Sequence, residues 1–195
     1  SEYEEEKKDL SFALQKDLIT LDKTPMNIEV LSSEDLEVLP VRNVSEALGT
    51  LSSININQNG EFIQPAVASI FGADVTHTKI LMEGIELNSQ LDGTTDISSF
   101  PVSIIKQIEI SNTPLSSLWG SGLAGAVYLK TKDPEQKNAL LLDASFGSFD
   151  SFSTSAEISL VKDSVRALFI PHYTQSGGYR DFGQSERTNY FFKTL

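Results

Sequence analysis

Apolar and polar positions change rhythm along the chain, and each change marks an element. Ile28 and Val30 alternate with polar neighbours in a short strand. Ser32, followed three residues later by Asp35, then marks a helix start that runs through Leu36, Val38 and Leu39 to Pro40. Asn43, Val44, Ser45 and Glu46 open a second short helix through Ala47 and Leu48 to Gly49. Ile54 and Ile56 form a strand that ends in the turn residues Asn57, Gln58, Asn59 and Gly60. Residues 62–78 mix polar and apolar positions without a period, so no element is predicted there. Residues 79–88, KILMEGIELN, predict two short strands around a Glu-Gly turn, and residues 89–100 predict a loop.

Residues 102–132 carry the densest signal. Ile105, Ile108 and Ile110 form a strand, Asn112, Thr113 and Pro114 lead into a Ser-rich turn, and Gly120, Gly122 and Gly125 precede the strand AVYLKTK. The corner GSGLAG fits the dinucleotide pattern G-x-G-x-x-G. That pattern needs a strand running straight into the first Gly and a helix opening at the third. Here a strand follows the third Gly, so the glycines predict a sharp or closely packed backbone corner instead.

Beyond Asp133 and Pro134 the period becomes two. Leu140, Leu142, Ala144 and Phe146 share one face; after a Gly-Ser turn, so do Phe152, Thr154, Ala156, Ile158 and Leu160, while the other face is rich in Ser. Lys162 and Asp163 predict a tight turn, residues 165–174 a third strand, residues 175–187 a longer loop, and residues 188–195 the start of a fourth strand. Pro171 cannot donate to a ladder, which predicts a bulge in the third strand. Strands of about ten residues, oily on one face and polar on the other, suit an outer-membrane barrel wall; a soluble β-sandwich shows the same alternation.

Composition narrows the function. The 195 residues carry 27 acidic and 15 basic side chains, a formal charge of -12, which argues against a nucleic-acid partner. Cysteine is absent, removing disulfides, thiolate metal sites and thiol nucleophiles together. No apolar run approaches the roughly 18 residues of a membrane-spanning helix. The first nine residues are acidic and polar, and predict a solvated segment. Leu10, Phe12 and Leu14 then alternate with Ser11, Ala13 and Gln15, a pattern suited to adding as a strand to another sheet edge. Leu18, Ile19 and Leu21 form a second such candidate.

These pieces, in this order, resemble the TonB-dependent outer-membrane receptors. Residues 105–132 resemble the family's closing plug segment, of the type (I/V)-x-x-I-E-V-x-x-G-P-x-S-x-L-Y-G-x-x-A-x-G-G-(V/A)-I-N-I-x-T-K, nearly position for position. The stretch IEVLSSEDLEVLP resembles the plug's opening, EALGTLSSINI its continuation, and KILMEGIELN its central hairpin. The chain departs from the pattern at Asn112 and Ile70, where the family usually has Arg. It departs also at Trp119 for Tyr, Ala126 for the second Gly, Glu83 for Asp, and Ser52 to Ile54 for Pro-Gly-Val.

The resemblance implies an α+β plug domain with a small mixed β-sheet and short helices, followed by antiparallel strands of an incomplete outer-membrane β-barrel. The boundaries expected are an N-terminal extension at 1–24, a plug at 25–134 and first barrel strands at 135–195. Four strands cannot close, since the smallest single-chain membrane barrels need about eight and plugged ones have about 22, so a longer receptor or a truncated product is expected. The implied function is ligand-gated, energised import of a scarce nutrient such as a ferric siderophore, cobalamin or another metal chelate. The partners are the periplasmic protein TonB and outer-membrane lipid, with no cofactor and no enzymatic activity. Asp9, Leu10, Ser11, Phe12, Ala13 and Leu14 are the candidate TonB box. Gln58, Asn59, Phe62, Gln64, Asn88 and Gln90, polar or aromatic groups in loops, are the candidate ligand contacts.

Two other classes compete. A soluble periplasmic binding or adhesion module would keep the plug and make residues 138–195 a water-exposed sheet. A hydrolase needs an assembled nucleophile and base; no G-x-S-x-G elbow occurs, and His77 and His172 are far apart with no acid at ligand spacing. Asp92, Asp96, Glu83 and Glu86 form an acidic group around the central loop, read as a solvated surface in preference to a cation site.

Overall fold

A computed structural model describes residues 28–112, 122–178 and 183–195. Both candidate TonB-box stretches, the Ser-rich turn and the first two residues of the Gly corner, Gly120 and Ser121, lie outside these residues.

The chain opens with β1 (Ile28–Leu31), then α1 (Ser33–Val38) and α2 (Val44–Leu48). Both helices start where the caps predict. Ser32 Oγ accepts from Asp35 N at 3.2 Å while Asp35 Oδ2 accepts from Ser32 N at 2.9 Å, a reciprocal box; Asn43 Oδ1 accepts from Glu46 N at 3.0 Å. Each such cap contributes about 1 kcal/mol. β2 (Ile54–Gln58) pairs antiparallel with β3 (Ala66–Ile70) as a separate two-stranded sheet. β3 occupies a stretch without a period, in which only the family resemblance places a strand, at residues 69–72. All of its residues except Val67 are buried, so no alternation marks it.

β4 (Thr78–Met82) and β5 (Ile85–Glu86) form the predicted hairpin, with Glu83 and Gly84 both at positive φ (49° and 79°), as a tight hairpin turn requires. β6 (Ile105–Ser111) and β7 (Gly125–Thr131) complete a five-stranded sheet in the order β1-β6-β7-β4-β5, mixed because β4 runs parallel to β7. The nucleotide pattern is settled here. Gly125 opens a strand, at φ 123°, and an added Cβ would lie 2.0 Å from the Ser111 carbonyl oxygen. The glycine is needed for close backbone approach.

β8 (Ala139–Gly147), β9 (Ser151–Lys162), β10 (Val165–Ser176) and β11 (Ser185–Thr194) form an antiparallel meander with β8 and β11 at its edges. The predicted bulge at Pro171 is absent: Phe169 faces Ile158 and His172 faces Ser155 in one unbroken register, and Pro171 itself faces Tyr190. Ile170 and Pro171 drop out of the ladder on the β9 side, so the strand loses a bridge without gaining a residue. The loop predicted over 175–187 is also shorter, because β10 and β11 extend their pairing to Ser176 and Ser185.

The two faces of this wall differ. Leu142, Phe146 and Phe192 are 71, 82 and 67 % exposed on the outer face. Leu168 and Ile170, on the inner face, are 0 and 1 % exposed and belong to the plug's own core, among Leu48, Ile70, Ile97 and Ile108. Each stabilises by about 1.5–3 kcal/mol through burial. A water-exposed sheet would turn its apolar side inward throughout; this one keeps a continuous oily face outside, while Ser153, Ser159, His172 and Thr174 are buried inside. The plug and incomplete wall are therefore the α+β and antiparallel β architecture expected.

Candidate functional site

The loop after β2 and the loop of residues 87–100 lie side by side. Asn43 Nδ2 donates to the Phe62 carbonyl at 2.7 Å, and Asp96 Oδ1 accepts from Ala66 N at 3.0 Å. The same Asp96 oxygen accepts from Ser98 N at 3.0 Å and Ser98 Oγ at 2.6 Å, closing the short 3-10 turn Ile97–Ser99. One carboxylate thus holds both loops in register.

Five of the candidate ligand residues fall on these loops, with different freedom, whereas Gln58, expected in a loop, is the last residue of β2 and pairs with Ala66. Gln58 Nε2 donates to the carbonyls of Glu61 and Gln64 at 2.7 and 2.9 Å, and Gln64 packs on Gly60. Phe62 lies under the Arg42 guanidinium, 3.4 Å from Cζ to ring centroid, and Arg42 Nε donates to Glu46 at 3.2 Å. Asn88 accepts from Ile80 N at 2.8 Å and donates to the Thr78 and Gly93 carbonyls at 3.0 and 2.8 Å, so its amide buttresses the loop. Asn59 and Gln90 are exposed.

The wall grips the plug at two levels of β11. At the level of these loops, Arg187 donates to the Ile63 carbonyl (2.9 Å) and Ser98 Oγ (3.2 Å) and reaches Asp96 at 3.5 Å, while Asn189 Nδ2 donates to the Ser99 carbonyl at 3.0 Å. Ser176 of β10 donates to Glu61. At the other end, Lys193 Nζ lies 2.8 Å from Asp133, 3.3 Å from Glu83 and 3.1 Å from Thr131 Oγ1. Glu83 also accepts from Thr131 N at 2.8 Å, Asp133 accepts from Lys106 at 3.4 Å, and Lys132 pairs with Glu157 of β9 at 2.7 Å. Burial works against ionisation of Glu83, but the Thr131 hydrogen bonds and the Lys193 charge outweigh it and hold the carboxyl below its ordinary value. Burial likewise opposes Asp133, and Lys193 and Lys106 together bring it down.

The predicted acidic group does not gather. Glu83 serves the turn, Glu86 pairs with the buried Lys79, Asp92 accepts from Thr94 N at 3.1 Å, and Asp96 is the loop hub. Among the described residues no three His, Cys, Asp or Glu side chains are grouped to hold a metal ion. His77 ends a 3-10 turn, whereas His172 lies on the inner wall face within 3.4 Å of Ser103 and Ser153. Arg187 and Lys193 escaped the sequence reading. The signal was present in SERTNYFFKT, where Arg187, Asn189, Phe191 and Lys193 alternate with the outward Tyr190 and Phe192.

Comparison with known proteins gives one consistent answer. The family model described as TonB-dependent Receptor Plug Domain matches residues 20–127. The vitamin B12 transporter BtuB of Vibrio vulnificus (strain YJ016) is 28% identical over 158 residues, covering 79% of this chain and 25% of that protein. The ferripyoverdine receptor of the Pseudomonas aeruginosa outer membrane, bound to ferripyoverdine, superposes with a TM-score of 0.74 at 15% identity, over 92% of this chain and 24% of that one. The ferric yersiniabactin uptake receptor FyuA of Yersinia pestis gives 0.70 at 15% identity, over 87% and 28%. The chain spans about a quarter of the length of the curated relative it matches.

Proposed function

The chain belongs to the TonB-dependent receptors, and from that membership we propose that it supplies the plug and first wall strands of a Gram-negative outer-membrane importer. The observation that carries the reading is the wall's polarity: an oily face exposed outward, and an inner face whose Leu168 and Ile170 complete the plug's core. A wall of this kind places its outer face in lipid and its plug across the lumen. The reading extends to a metal chelate as cargo, a ferric siderophore or a corrinoid, since the relatives include a vitamin B12 transporter and a ferripyoverdine receptor.

In this reading the end of β2 at Gln58 and the loops carrying Asn59, Phe62, Gln64, Asn88 and Gln90 face the ligand. Asn59 and Gln90 offer exposed amides, Phe62 an apolar ring, and Gln58, Gln64 and Asn88 shape the segments that present them. Asp9, Leu10, Ser11, Phe12, Ala13 and Leu14 form the strand added to TonB, which couples force from the inner membrane to the plug. No bond is made or broken.

Uptake of radiolabelled cyanocobalamin and of 55Fe-loaded citrate, catecholate and hydroxamate chelates by cells carrying or lacking the full-length receptor tests this. We expect one probe to be imported only with the receptor and TonB present. Leu10→Pro or Phe12→Pro should abolish that uptake and leave surface binding intact. Import of every probe at the same rate without the receptor would sink the reading.

A further inference from the structure

Arg187 projects from the wall, yet all three of its plug partners belong to the two loops proposed to face the ligand. Its donors reach the Ile63 carbonyl at 2.9 Å and Ser98 Oγ at 3.2 Å, and Asp96 Oδ2 lies at 3.5 Å. Ile63 directly follows Phe62, whose ring lies under the Arg42 guanidinium. Ser98 closes the turn at the end of the other loop, and Asp96 holds both through its second oxygen, which accepts from Ala66 N and Ser98 N at 3.0 Å each. A single planar fork therefore fixes the distance between the loops and ties it to β11. The guanidinium is partly buried, with 22 % side-chain exposure, and Asn189 supports the same turn from two residues along the strand.

We propose that Arg187 is a positioning residue for ligand binding: the wall sets the spacing of the two plug loops through its guanidinium, so affinity depends on a residue that need not touch the ligand. The inference rests on the reading that these loops face the ligand. The geometry demands a fork. Three acceptors spread over two loops suit a planar group with several fixed donors, whereas a lysine ammonium is a point charge and satisfies one or two of them. Charge alone is not sufficient.

The experiment compares the full-length receptor with Arg187→Gln, Arg187→Lys and Lys193→Gln, the last a change in the other wall-to-plug attachment. Binding of cyanocobalamin, ferric citrate and a ferric catecholate is measured alongside backbone hydrogen exchange. For the probe that the wild type retains, both Arg187 variants should bind about tenfold more weakly, and Lys193→Gln within about twofold of wild type. Exchange should rise in residues 62–66 and 96–99 of both Arg187 variants, with β6 and β7 as protected as before. Wild-type affinity in Arg187→Gln, full rescue by Arg187→Lys, or an equal loss in Lys193→Gln would each overturn the proposal. If the wild type binds none of the probes, the exchange arm decides. Faster exchange confined to those loops keeps Arg187 in its positioning role and removes the ligand reading; unchanged exchange overturns the role itself.

Discussion

The two ends of β11 hold the plug by different means. Near its start, one guanidinium serves two backbone-rich loops, and loss of that group leaves the Ile63 carbonyl and one Asp96 oxygen without this donor. Near its end, Lys193 shares its anions with other donors: Glu83 is also held by Thr131, and Asp133 by Lys106, while Lys132 and Glu157 form a neighbouring pair. At the first junction one guanidinium spans both loops, with Asn189 and Ser176 each reaching one of them, whereas at the second each anion has several donors. A change at the loop end should therefore act locally and strongly, and a change at the linker end should be absorbed.

The largest perturbation is one that removes the ground between the two ends. Leu168→Ala leaves a cavity where wall and plug share a core, and should cost about 2–5 kcal/mol in equilibrium unfolding of the lipid-reconstituted receptor. Both ends of β11 should then gain hydrogen exchange together; loss at one end alone would show that the two are independently anchored. Arg187→Ala comes next, at about 1–3 kcal/mol of local stability read as exchange at Ser98 and Ala66, because a partly buried acceptor set is left under-satisfied. Lys193→Ala should cost about 1 kcal/mol or less, measured at Thr131, since the remaining donors stay in place. A loss at Thr131 as large as that at Ser98 would erase the proposed contrast.

The smallest effect is that of pH. The carboxyls of Glu83 and Asp133 titrate below their ordinary values of 4.5 and 3.8 in the folded protein. Their contribution is thus fully present above those values and is lost as pH falls through the lowered ones. Both groups are more than a third exposed, so solvent screens the gain. Thr131 amide protection should be flat from neutral pH down to the ordinary carboxylate range and fall below it, and Lys193→Ala should flatten that fall.

Much of this could be read from residues alone, for reasons that are local. Ser32 with Asp35, Asn43 with Glu46, and the Glu83-Gly84 turn are decided within a few positions, and the wall's alternation declares its two faces directly. β3 left no period because burial on nearly all sides erases alternation, and only the resemblance at residues 69–72 pointed to a strand there. The bulge expected at Pro171 failed because the missing donor removes a bridge without requiring an inserted residue. The junctions were the least legible part. Arg187 meets Asp96 and Lys193 meets Glu83 only across the fold, so no window of sequence contains either pair. The Arg residues that the plug pattern would place at Ile70 and Asn112 are absent, and in this chain the wall supplies the cations that bridge to plug acids.

The order of the five-stranded sheet also bears on how the molecule assembles. β1 begins at residue 28 and bonds to β6 at residue 111, while β4 must find β7 in parallel across the intervening chain. Every strand of the wall, by contrast, bonds to its neighbour in sequence. Local pairings form quickly, and those that close long loops form late. Topology therefore predicts that hairpins of the wall zip before the plug's sheet completes its long-range pairings, an order that pulse-labelling hydrogen exchange during refolding would check.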